Sequence, residues 1–141
     1  AIAYGAGPGS FTGLRIAASA VQGLAFAAGL PAIPVSTLAC QAQTALRLGY
    51  VDADTLVCSV LDAKINELYH ATYSYSDGLA KQVTPPAVCR PEALTLIEGV
   101  SVLIGSGCAL SAQFPREVAE RIEAAIDDKI IEQHESGPDL E

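Results

Sequence analysis

A glycine-rich loop near the start of the chain holds the residue types best suited to chemistry. Residues 7–15 read GPGSFTGLR, with three glycines, one proline and two hydroxyl side chains where an apolar strand leads into a helix. Outward-facing N–H groups in such a turn, at a helix N-terminus, bind anions and above all phosphates. The candidate contacts are Gly7, Gly9, Ser10, Thr12, Gly13 and Arg15.

The spacing of these glycines excludes two common phosphate-binding loops. No GK[ST] follows the loop, and Gly7, Gly9 and Gly13 do not form GxGxxG. The same residues also fit a structural turn, in which Ser10 or Thr12 caps the helix and Arg15 pairs with a nearby carboxylate. The residues alone leave both interpretations open.

Other polar residues give weaker signals. Asp62 follows an apolar, β-branched segment and lies two residues before Lys64. A carboxylate at a strand end can serve as a general base or metal ligand, but Asp is also a common turn residue, and we favour a hairpin turn. His70 has no ordered partner in the sequence, and no serine lies in a GxSxG elbow. We therefore expect no catalytic residue and no metal ligand.

Hydrophobic periodicity predicts two helices that are unusually poor in charge. The first covers residues 14–29, and the second runs from Thr37 to about Leu48 after Ser36 as N-cap. Arg15 and Arg47 are their only charged residues. A helix that is apolar nearly all round is buried or covered by a partner. Either the protein's own strands or a second protein would cover the first helix.

The remaining pattern predicts a mixed α/β chain. Strands are expected at 1–4, 32–35, 55–61, 67–75, 81–84 and 100–104, with a hairpin turn at 62–66. Helices are expected at 91–98 and from 115 to about 131, a tight turn at 105–107, and a polar acidic tail at 134–141. A change in composition near residues 49–54 divides the chain into two units, 1–50 and 51–141.

Composition narrows the function classes. The 141 residues carry a formal net charge of −8, which opposes autonomous binding to nucleic acid. No apolar run approaches the ~20 residues of a membrane span. The four cysteines are widely spaced and form no CxxC pair, and each lies in or beside an apolar segment. We therefore expect buried thiols in a reducing cytoplasm.

Several motifs together resemble the TsaB (YeaZ) family. They are GPGSFTGLRI at 7–16, QGLA at 22–25, PVSTL at 34–38, LDAK at 61–64, ELY at 67–69 and GSGCA at 105–109. The resemblance is specific to about residue 110. It implies an actin-like (Hsp70-like, ASKHA) α/β fold, with an incomplete first lobe followed by a smaller α/β lobe. The family's opening strands, with their Asp-Thr-Ser motif, are expected to be missing before Ala1, and its closing strand is not recognisable.

The resemblance also implies a function. A TsaB protein is a non-catalytic subunit that binds TsaD in the cytoplasmic complex that makes threonylcarbamoyladenosine (t6A) in tRNAs reading ANN codons. The TsaE ATPase would join through the complex, TsaC would supply the threonylcarbamoyl-adenylate, and tRNA would be contacted only indirectly. A homodimer is expected in isolation. Although relatives carry the label glycoprotease (peptidase M22-like), the zinc-type His pair of TsaD is absent, which argues against peptidase activity.

By the same resemblance, the two charge-poor helices form the partner interface. No cofactor is expected on this chain alone, because the phosphate-facing half of the cleft would be incomplete; ATP would bind only in the complex. Two alternatives stay open: a nucleotide-binding or glycoprotease-like enzyme of the actin-like class, and a self-associating structural module. The predicted interface residues are Leu14, Ala17, Ala18, Val21, Gln22, Leu24, Ala25, Thr37 and Gln41.

Overall fold

The computed structural model of the chain describes residues 1–127, which form two β-sheets and three α-helices. The strands are β1 (Ile2–Gly7), β2 (Ala32–Ser36), β3 (Val57–Asp62), β4 (Leu68–Ser76), β5 (Leu79–Gln82), β6 (Ala87–Cys89), β7 (Val102–Ile104) and β8 (Ala124–Ile126). The α-helices are α1 (Phe11–Ala28), α2 (Thr37–Arg47) and α3 (Arg116–Arg121), and two 3-10 helices cover Pro91–Ala93 and Ser106–Gln113.

The N-terminal part is a parallel strand pair joined by a long helix. β1 pairs with β2 in parallel, with Ile2 opposite Ala32, and α1 makes the crossover. α1 begins where the Ser10 hydroxyl accepts a hydrogen bond from the Gly13 N–H, and it ends at Gly29 in the left-handed conformation. This unit exposes most of its residues, and Val21 is the only buried residue of α1.

The C-terminal part is a six-stranded sheet with helices on both faces. Its strand order is β5-β4-β3-β7-β8, and β6 also pairs with β4. β3 and β4 form an antiparallel hairpin, whereas β7 and β8 continue the sheet in parallel. α2 covers one face, and α3 with the 3-10 segments covers the other. Each face therefore has its own apolar core.

Helix α2 is fixed to the six-stranded sheet by apolar contacts and hydrogen bonds. Leu38, Ala42 and Ala45 are fully buried in the core of that sheet. The Tyr75 hydroxyl donates to the Ala42 carbonyl at 2.6 Å. The Gln43 side chain donates to the Gly78 carbonyl at 2.9 Å and accepts from the Ala80 N–H at 2.8 Å. The division into units 1–50 and 51–141 stays a prediction, and α2 supplies core residues to the second sheet.

The structure confirms the α/β order and the hairpin but corrects several predicted elements. The helix predicted from residue 115 ends at Arg121, and β8 follows because residues 124–126 pair with β7. Only a 3-10 turn forms in the predicted helix 91–98, and the predicted turn at 105–107 opens a 3-10 helix. Strand β5 lies two residues before its predicted position, and β6 was not predicted. The predicted tail and residues 128–131 lie outside the described residues.

The cysteines differ in exposure more than the sequence predicts. Cys58 and Cys108 are buried and Cys89 is half-buried, but Cys40 is exposed on α2, so the prediction was wrong for Cys40. None of the four forms a disulfide bond. Burial raises the pKa of the Cys58 thiol to about 12 and also raises the pKa of Cys89. Since the thiolate is the nucleophile, Cys58 is chemically inert while the protein is folded.

We expect one fast-reacting thiol in the native protein. At pH 8 an aromatic disulfide reagent should modify Cys40 first, because it is exposed, while Cys58 reacts only after unfolding in denaturant. Absorbance of the released thiolate measures both phases. In Cys40→Ser the fast phase should disappear, and a fast phase that survives this substitution would contradict the assignment.

Candidate functional site

The glycine loop caps α1 and turns the chain sharply. Gly7 is buried with φ of +91°, and a Cβ there would lie 2.8 Å from a methyl group of Leu14. The Gly7–Pro8 peptide bond is cis. The Ser10 hydroxyl accepts from the Gly13 N–H at 3.4 Å, so Ser10 rather than Thr12 is the N-cap. The structural role predicted for this loop is therefore present in the fold.

Arg15 lies over an aromatic ring beside the loop. Its guanidinium carbon is 5.3 Å from the centroid of the Phe11 ring, a cation–π geometry. Both side chains are exposed at the start of α1. The carboxylate partner expected for Arg15 is thus replaced by a ring one turn earlier on the same helix.

A cleft of about 400 Å³ separates the glycine loop from the β3–β4 hairpin. The loop contributes Gly9 and Ser10, and the strand ends contribute Leu61 and Tyr69. The hairpin turn completes the lining with Asp62, Ala63 and Lys64. The fold thus brings the glycine loop and the LDAK motif to one site, although 45 residues, 16–60, separate them in sequence.

Asp62 organises the hairpin turn at this cleft. Its Oδ1 accepts from the Lys64 N–H at 2.8 Å, and its Oδ2 lies 3.7 Å from the Lys64 ammonium. Lys64 is mostly exposed and has a positive φ of 75°, which the side-chain bond of Asp62 supports. The favoured interpretation of Asp62 as a turn residue is therefore confirmed.

The GSG turn lies directly behind the hairpin. The Ser106 hydroxyl accepts a hydrogen bond from the Asp62 N–H at 3.1 Å. Gly105 has φ of +117°, and a Cβ there would overlap the carbonyl oxygen of Val60. Gly107 also lies against β3, since a Cβ there would lie 2.8 Å from the Val60 Cβ. Glycine is therefore required where this turn meets β3, and the turn supports the cleft from behind.

The chemistry available in the cleft is limited. Ser10, the first N–H groups of α1 and the Lys64 ammonium suit an anion better than a cation. Asp62 is the single carboxylate among the described lining residues, and it bonds to its own turn. Among residues 1–127, no three His, Cys, Asp or Glu side chains converge as a metal site. His70 is half-buried on β4, where burial lowers its pKa, and it does not line the cleft.

The predicted interface residues of α1 divide between two faces. Leu14, Ala17, Ala18, Val21 and Ala25 are buried or half-buried, at the spacing of the face that packs on the strand pair. These residues therefore lie on the inner side of α1, and their part in a partner interface stays a prediction. Gln22 and Leu24 are exposed as the prediction requires.

The two residues predicted on α2 are both half-buried. The Oε1 of Gln41 accepts from the Ser59 hydroxyl at 2.7 Å, and this amide also lies against Gly105. Gln41 therefore has an internal role between α2, β3 and the GSG turn. Thr37 lies at the start of α2 beside a shallow groove of about 300 Å³ that Tyr4, Val35 and Cys40 help to line. Its part in an interface stays a prediction.

Sequence reasoning missed three of the four most exposed large apolar residues of α1. Phe26 is 92% exposed, Phe11 72% and Ile16 65%, whereas Leu24, at 61%, was among the predicted interface residues. Hydrophobic periodicity predicts the most regularly spaced apolar residues of a helix. In α1 these residues lie on the side that packs on the strand pair. The sequence signal for the exposed residues was the lack of any charge on α1 after Arg15.

By length and apolar content alone, α1 is also the one described helix able to cross a membrane. Core helices of soluble proteins can have the same length and apolar content. These two properties therefore do not distinguish a membrane-spanning helix from a core helix.

Comparison with known proteins gives consistent matches. The family model TsaD, tRNA N6-adenosine threonylcarbamoyltransferase, matches residues 1–130. The chain is 36% identical over 124 residues to the tRNA threonylcarbamoyladenosine biosynthesis protein TsaB of Haemophilus influenzae, covering 81% of this chain and 51% of that protein. It is 41% identical over 112 residues to TsaB of Escherichia coli, covering 76% and 47%. The chain thus spans about half the length of these curated relatives.

Solved structures agree with the sequence relatives. YeaZ from Pseudomonas aeruginosa superposes with a TM-score of 0.79 at 34% identity, covering 90% of this chain and 57% of that one. A crystal structure of an uncharacterized protein with similarity to peptidase YeaZ from the same organism gives a TM-score of 0.76 at 31% identity, covering 94% and 62%. The shared fold therefore includes both sheets.

We expect Gly105→Ala to destabilise the protein by at least about 2 kcal/mol more than Gly99→Ala. Both glycines have positive φ, but a Cβ at Gly99 would meet only a Leu56 methyl group at 3.5 Å, whereas one at Gly105 would overlap the Val60 carbonyl. Urea denaturation measures the free energy of unfolding of both variants. Because both positions have positive φ, the difference between the two losses reports the steric overlap and not the backbone strain. Equal losses would contradict the close approach.

Proposed function

The chain belongs to the TsaB (YeaZ) family and has its actin-like α/β fold, and from this we propose that it is a non-catalytic subunit that binds a TsaD-like protein to make threonylcarbamoyladenosine in tRNA. The observation that carries the proposal is the exposed, uncharged side of α1. Apolar patches of this kind are rare on monomeric proteins and mark interaction surfaces. Large residues such as Phe26 at 92% exposure and Ile16 at 65% supply the apolar anchors.

A non-catalytic role agrees with the chemistry of the cleft. Catalysis of acyl transfer or phosphate chemistry needs a positioned base, nucleophile or metal. In the described part of the cleft, Asp62 is the only carboxylate, and it bonds to its own hairpin turn. An enzyme of the actin-like class is the second candidate, and the anion-favouring groups around Ser10 and Lys64 are what supports it.

The charge of the chain indicates that other subunits hold the tRNA. A net charge of −8 disfavours contact with a polyanion, so the chain would reach tRNA only indirectly. It would act in a cytoplasmic complex whose other subunits bind the tRNA. A TsaE-like ATPase would join through the TsaD-like subunit. ATP would bind only in that complex. In isolation, the uncovered apolar side of α1 would support a weaker homodimer.

We expect Leu24→Asp to weaken binding to a TsaD-like protein at least 10-fold. Leu24 is 61% exposed, so an aspartate there is tolerated in the free chain, but in the complex its charge would be desolvated without a partner. Co-purification and calorimetry measure the loss.

Leu79→Asp is the matched control for this variant. Leu79 is 53% exposed on β5 and belongs to the other sheet, so the same chemical change should leave binding within about 2-fold, as is usual at surface positions. If Leu24→Asp binds as well as the wild type, α1 is not the interface.

We also expect the isolated chain to bind ATP only weakly, with a dissociation constant above about 100 µM, or about −5.5 kcal/mol. The cleft offers the Ser10 cap and one exposed lysine, Lys64, toward phosphates. Calorimetry with ATP and Mg²⁺ measures this. Micromolar binding that Lys64→Ala abolishes would favour the enzyme alternative.

A further inference from the structure

We draw no further inference here: the strongest candidate, the outer edge of β1, which is unpaired among residues 1–127 and has an apolar groove beside it on the α1 side and on the α2 side, carries nothing because nothing in the described part of the chain shows which strand covers it.

Discussion

The packing of α2 is the constraint on which the rest of the structure depends. This helix follows β2 directly and buries Leu38, Ala42 and Ala45 against the six-stranded sheet, while it also contacts the strand pair. Full burial of such side chains stabilises the fold by roughly 1.5–3 kcal/mol for each large residue. The Gln43 amide adds two hydrogen bonds that hold the β4–β5 turn. The apolar face of α2 is therefore buried inside the protein, where it joins the two sheets, and little of that face remains exposed.

Two charge-poor helices of similar composition therefore have different roles. The chain covers α2 on its core side, but it covers only one face of α1, with Val21 at the centre. The cleft between the glycine loop and the hairpin also depends on the packing of α2. The Gln41 side chain of α2 contacts Gly105, and the neighbouring Ser106 hydroxyl accepts a hydrogen bond from the Asp62 N–H. The polar residues at the cleft thus stabilise turns, and the most exposed large apolar side chain of the described residues, Phe26, lies on α1.

Much of the fold could be predicted from sequence because its signals are local. Ser10 and Ser36 cap their helices as N-cap preferences indicate, and Asp62 forms the predicted turn. The β8 strand could not be found, because the segment EAAI favours helix locally and becomes extended only by pairing with β7. Most of the interface residues predicted on α1 lie on its inner face, and their part in an interface stays a prediction. Periodicity reports the face with the best apolar spacing, and only coordinates show that the chain's own strands already cover it.

Acidic residues and the exposed apolar residues of α1 lie in different parts of the chain. All acidic residues lie at or after Asp52, so repulsion between copies comes from residues 52–141. A charged residue on the exposed side of α1 would also oppose aggregation, but it would have to be desolvated in any complex that covers this side, at a cost of several kcal/mol. Placing the charge on the other part of the molecule avoids that cost. An apolar helix face can therefore remain free of charge without the chain losing its net repulsion.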